Sequence, residues 1–121
     1  MDKKYMEVEV LNLKRSALVL SKKKMPYYDW LQSIGKGSQN SNTTDNEVYL
    51  LPDYEEIDQM EKWLSRNFDL IFQDQLNAWI TDQDLWVKNR TYKLFKEWFD
   101  YSLHTMIFDL EKGEIEKIWT K

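Results

Sequence analysis

Apolar positions fall into short blocks separated by polar joints, and the spacing within each block predicts an element. Ser16–Leu20 (SALVL) is a compact apolar run, too short for a helix, and predicts a buried strand. Tyr27, Trp30, Leu31 and Ile34 then recur at i, i+3, i+4 and i+7, which puts them on one face of a helix. Pro26 suits its first position and Gly35 its left-handed end. Glu47–Leu51 (EVYLL), stopped by Pro52, predicts a second strand. From Asp53 to Tyr101 the helical period dominates. Asp53-Tyr54-Glu55-Glu56 fits a capping box, with Glu56 reaching back to Asp53.

Ile57, Met60, Leu64, Phe68, Ile71, Phe72, Leu76, Trp79 and Ile80 hold the period that follows. As one helix this stretch would span about 28 residues, or roughly 42 Å at the usual rise. Arg66-Asn67 is a plausible break, because Asn competes for backbone hydrogen bonds, so a kink or two consecutive helices are expected near residue 67. Thr81–Asp84 is a polar turn. Asn89 or Thr91 can cap a further helix whose stripe is Leu94, Phe95, Trp98, Phe99 and Ser102. Met106, Ile107, Phe108 and Leu110 predict a third strand within 102–111, central because both faces are apolar. Ile115, Ile118 and Trp119 suit either a short edge strand or an extended arm.

Two segments stand apart. In residues 1–10, Met6, Val8 and Val10 alternate with Glu7 and Glu9, which suits a strand. The charge and terminal position suit a frayed tail equally well. Residues 36–46 (KGSQNSNTTDN) carry no aliphatic or aromatic anchor and read as a mobile surface loop. The order β-α-β-α(α)-α-β implies an α+β domain over residues 11–121. It would have a small mixed sheet of three or four strands with helices mainly on one face. A right-handed crossover could make the first two strands parallel.

Composition narrows the function. The chain of 121 residues has no cysteine, which removes disulfides, thiolate metal sites and a cysteine nucleophile. The N-terminus has no apolar signal-peptide core and no apolar run approaches membrane-spanning length, so a cytoplasmic protein is expected. The net charge of −4 is uneven. Residues 1–37 carry eight bases and four acids, and residues 38–121 nine bases and seventeen acids. The acidic body disfavours broad nucleic-acid binding, and the basic first third keeps a local exception open. The Lys22–Lys24 run most simply solvates the end of the first strand.

No phosphate loop, dinucleotide fingerprint, HExxH or GxSxG is present, and three glycines make a glycine-rich cradle unexpected. His104 is the only histidine and lacks an evident partner. Asp82 and Asp84 have the spacing of two calcium-loop oxygens, but the loop glycine and distal glutamate are missing, so turn chemistry explains them better. No cofactor or metal is expected.

Trp86 with Arg90, beside Asp82 and Asp84, is the sharpest candidate. Trp and Arg are enriched at binding hot spots, so an exposed Trp86 would make a docking surface. In the competing arrangement Trp86 anchors the loop in the core, with Arg90 stacked on it or paired with an acid. Tyr28, off the buried stripe of its helix, is a further candidate surface aromatic.

The phrases PYYDWL, VYLLPDY, NFDLIF, LNAW, LWVKNRT, FKEWF and HTMIFDL together resemble a family of small uncharacterised bacterial proteins, over roughly residues 11–118. The resemblance implies a small bacterial cytoplasmic domain and points to no particular substrate or catalytic residue. Sequence alone therefore favours a non-enzymatic interaction module with an unknown protein partner. The alternative is a nucleic-acid-associated factor using the basic first third.

Overall fold

Seven residues, Ser16–Lys22, form the strand on which the protein is assembled in the computed structural model, which describes residues 11–35 and 46–118. In chain order the elements are β1 (Leu11–Asn12), β2 (Ser16–Lys22), α1 (Lys24–Ser33), β3 (Glu47–Leu51), α2 (Ile57–Trp79), α3 (Tyr92–Trp98), β4 (Phe99–His104) and β5 (Phe108–Asp109). A 3-10 turn at Gln83–Leu85 lies between α2 and α3. The candidate loop 36–46 falls outside the described residues except for Asn46, as do residues 1–10 and Trp119.

The α+β class is as expected, but the sheet is antiparallel rather than mixed. Its order is β3-β2-β4, with β2 in the middle and antiparallel to both neighbours. Glu47, the first residue of β3, pairs with Leu20 near the end of β2. The chain thus re-enters the sheet where it left it and runs back, so no parallel crossover forms.

β1 and β5 make a second, two-stranded sheet. Asn12 pairs with Phe108 and Ala17 with His104, so the first strand takes one more residue than its partner between these points. That extra residue is a bulge, which lets the β2–β4 ladder continue into a twisted ribbon. The Leu13 amide bonds the Ile107 carbonyl at 2.7 Å across it.

Alternation sets the two faces of the larger sheet. Leu18, Leu20, Tyr49, Leu51, Phe99, Tyr101 and Leu103 join the core with Phe72, Leu76 and Phe95. Val48, Leu50, Asp100, Ser102 and His104 turn the other way and are exposed. The helices therefore cover one face. Much of the packing is aromatic. Phe72 meets Phe99 edge-on at 5.4 Å, and Phe95 lies 5.1 Å from Phe99. Such pairs add about 0.5–1.5 kcal/mol each beyond area burial.

Four expectations are corrected. α2 is unbroken over 23 residues. The Asn67 amide that was expected to break it donates to the Trp63 carbonyl at 2.8 Å, one turn back, and so supports the helix. The capping box lies three residues later than predicted, at Glu56 and Gln59, with Gln59 Oε1 accepting from the Glu56 amide at 3.2 Å. Tyr54 explains the delay. Its amide donates to Ser16 Oγ at 3.0 Å and its carbonyl accepts from the same hydroxyl at 3.2 Å, so this segment is tied to β2 and not free to coil.

The third correction concerns α3, which stops at Trp98. From Phe99 the pattern alternates, with Phe99, Tyr101 and Leu103 inward and Asp100, Ser102 and His104 outward, and the chain follows that period as β4. The predicted strand at 102–111 shrinks to β5, and it is not central, since Met106, Phe108 and Leu110 are all exposed. Ile115 and Ile118 form no strand, and both are exposed. Finally, α1 starts two residues before Pro26, which the first turn still tolerates. Tyr27, Trp30 and Leu31 are buried as the period required, and Gly35 takes the left-handed conformation at φ +79°.

Candidate functional site

The connection from α2 to α3 is built from local bonds. Asp82 Oδ1 accepts from the Asp84 amide at 3.0 Å, which starts the 3-10 turn. Trp86 is 8% exposed, and its Nε1 donates to the Ile80 carbonyl at 2.7 Å. Trp30 Nε1, from α1, donates to the Leu85 carbonyl at 3.1 Å. Two indoles thus pin the loop. Asn89 sits at φ +55°, a left-handed conformation its short amide tolerates, and reverses the chain into Arg90. Thr91 Oγ1 then caps α3 by accepting from the Leu94 amide.

Arg90 is fully engaged. Nε lies 2.6 Å from Asp69 Oδ1, Nη2 3.3 Å from Oδ2, and Nη1 2.9 Å from the Val87 carbonyl. The guanidinium also lies 6.0 Å from the Trp86 ring centre. Asp69 accepts a further bond from Gln73 Nε2 at 2.6 Å. The Arg90 hydrogen bonds hold its carboxyl below the usual aspartate range, against the opposing effect of burial. An open cleft of about 460 Å³ lies over this pair, lined also by Gln83, Lys88 and Asn89.

Of the predicted site residues, Trp86 and Arg90 meet, and Trp86 is the loop anchor. Asp82 and Asp84 are exposed turn residues, and neither lines the cleft. Tyr28 is half-buried against Tyr27, 5.5 Å between ring centres, and lies away from the cleft. Sequence reasoning missed Asp69. Its partner is 21 positions away, and no local pattern marks that pairing. The cleft lining holds no hydroxyl, thiol or imidazole, its one carboxylate is ionised and paired with Arg90, and Lys88 adds an ammonium at its edge, so it can orient a polar or anionic ligand.

His104 Nε2 lies 2.8 Å from Ser102 Oγ on the exposed face of β4. Among the described residues no third group orients the ring, and neither residue lines a described cleft. Among the described residues no three His, Cys, Asp or Glu side chains gather to hold an ion.

A second polar cluster is structural. Glu61 of α2 accepts from Tyr92 of α3 at 2.8 Å and from Tyr101 of β4 at 3.1 Å, and the two phenols are 2.9 Å apart. Burial first, and then these contacts, push the Tyr92 hydroxyl well above its usual range. Tyr101 is raised too, chiefly by burial.

Two lysines of the basic run make internal contacts. The Lys22 ammonium lies 4.6 Å from the Tyr27 ring centre and 5.3 Å from that of Trp79. Lys23 donates to the Lys96 carbonyl and lies 3.6 Å from Asp100. Both lysines are half-buried, so the predicted solvated strand end is instead a packed one.

The uncovered side of the sheet differs in kind. Apart from Ile57 and Leu70 on α2, every exposed large apolar side chain among the described residues lies on β1, on β3 or beyond β4. Val48 is 61% exposed, Leu50 48% and Phe108 55%. Leu13, Leu50 and Ile115 line a cleft of about 270 Å³ together with Lys14, Arg15 and Lys117. Among the described residues β3 has no neighbour on its outer side.

No family model matches the chain, and no curated protein or solved structure matches it.

Proposed function

We propose that the protein is a small non-enzymatic interaction module that binds a protein partner on the uncovered side of its sheet. One observation carries this. Val48 and Leu50 of β3 are exposed on the face that the helices leave open, and Leu50 lines a cleft with Leu13 and Ile115, while the opposite face is packed against the helices. Soluble monomers rarely leave such side chains grouped without a partner. Among the described residues the outer edge of β3 has no paired strand, so it offers backbone donors and acceptors that a partner strand can pair. The polar cleft over Asp69 and Arg90 is a weaker candidate, because these two charges already satisfy one another. Among the described residues no helix is long and apolar enough to cross a membrane, and the cysteine-free sequence fits the bacterial cytoplasm as the place of action.

The test is paired affinity capture from source-cell extract with the wild-type chain and with Val48→Asp/Leu50→Asp. Both substitutions lie on the exposed face, so the fold survives. A partner held by the wild type and lost by the variant supports an interaction surface here. Equal capture by both, or no specific capture at all, removes it. The nucleic-acid alternative loses Lys22 and Lys23 to internal contacts and retains Lys14 and Arg15. A gel shift that weakens steeply with salt would restore it.

A further inference from the structure

The cleft between β3 and the two chain segments beside it has an unusual charge pattern. Its floor is apolar, from Leu13, Leu50 and Ile115. Its rim is entirely cationic, from Lys14, Arg15 and Lys117. Among the described residues none of these three cations has an ion-pair partner, and Arg15 spends one nitrogen on the Lys14 carbonyl at 2.9 Å. The rest of the sequence is acidic, with twenty-one acids against fourteen bases once these three cations are set aside. An acidic partner is repelled by most of that surface and steered to this rim.

We infer that this cleft receives an extended, acidic segment of a partner protein, which seats an apolar side chain on Leu13, Leu50 and Ile115 and sets carboxylates against Lys14, Arg15 and Lys117. The inference rests on the interaction-module reading and specifies its partner. The cleft, at about 270 Å³, has room for one or two aliphatic side chains rather than the row of anchors an amphipathic helix brings. An extended segment presents alternate side chains, so one face delivers apolar groups while acids reach the rim. The outer edge of β3, unpaired among the described residues, offers that segment main-chain partners. A nucleic-acid strand fits less well, since its phosphates would have to cross an aliphatic floor.

The experiment is fluorescence anisotropy on the full chain with three labelled probes: a short peptide alternating glutamate with valine, the same peptide with lysine for glutamate, and a single-stranded oligothymidylate. The expected result is binding of the glutamate peptide that falls with added salt and is about tenfold or more tighter than that of the lysine peptide. Lys14→Glu/Lys117→Glu reverses the preference, and Leu50→Asp abolishes binding, while circular dichroism stays unchanged for both variants.

Equal or absent binding of the two peptides overturns the inference. So does tighter binding of the oligothymidylate, or sedimentation showing that the charge-reversed variant loses self-association instead. The same two variants are then used in the extract capture. Capture that needs Leu50 but ignores the charge reversal overturns the acidic segment and leaves the interaction module standing. Capture that ignores Leu50 as well removes both.

Discussion

Arg90 holds Asp69 with two nitrogens, Nε at 2.6 Å and Nη2 at 3.3 Å, and so fastens the loop before α3 to the middle of α2. The Arg90 side chain is mostly buried and that of Asp69 is two-fifths exposed, so water screens the pair. A double-mutant cycle of Arg90→Ala and Asp69→Asn should give a coupling of about 1 kcal/mol or less by urea denaturation. The sign with pH follows from the lowered Asp69 carboxyl. Its contribution is present above the ordinary aspartate value of about 4 and is lost as pH falls through the lower folded value. The stability gap between wild type and Arg90→Ala should therefore narrow in acid. A gap that widens there would refute the pairing.

Ser16 is fully buried and serves both the amide and the carbonyl of Tyr54. Ser16→Ala leaves two polar groups of the chain without that hydroxyl. The expected loss is about 1–3 kcal/mol, read as a lower denaturation midpoint with an unchanged slope. Ser16→Thr, which keeps the oxygen, should recover part of it. A neutral Ser16→Ala would mean that water replaces the hydroxyl.

Trp86 is shielded, so its emission should resist iodide. Trp86→Phe removes a protected emitter and also the bond to the Ile80 carbonyl. The accessible fraction of the remaining tryptophan emission should rise. A fall would place Trp86 on the surface and revive the aromatic docking site predicted from sequence.

Three tyrosines should ionise late. Tyr49, Tyr92 and Tyr101 are all raised, in each case by burial first; hydrogen bonding to Asp74 adds to it at Tyr49 and to Glu61 at the other two. Because the folded values lie above the unfolded value of about 10, their contribution to stability is full below that pH and is lost as pH rises through the folded values. Absorbance titration should show three phenols of the seven ionising only as the protein unfolds in alkali. Glu61→Gln should bring Tyr92 and Tyr101 partway down and leave Tyr49 unmoved.

Elements set by local pattern were legible in the sequence. EVYLL became β3 without a change of boundary, and the Tyr27–Trp30–Leu31 face of α1 is buried as its spacing required. Elements whose limits depend on distant partners were not. The start of α2 is set by Ser16, thirty-eight positions before Tyr54. The end of α3 was hidden because Leu94, Phe95, Trp98 and Phe99 satisfy the helical period while Phe99 also begins the alternating one. The Trp86–Arg90 neighbourhood was legible, but its decisive partner, Asp69, was not. The basic-rimmed cleft was invisible too, since Leu13, Leu50 and Ile115 meet only once the sheet has formed.

The middle position of β2 has a consequence for how the protein is made. Among the described residues β2 is the first long element in chain order, yet Ala17 pairs with Leu50 on one side and with His104 on the other. The sheet cannot close until nearly the whole described chain has emerged. Pairings between such distant positions are slow to form, and an unfinished sheet exposes the edge of an apolar strand. During synthesis SALVL therefore stays without its β4 partner until Phe99–His104 have emerged, and until then one edge of an apolar strand is open to wrong pairings.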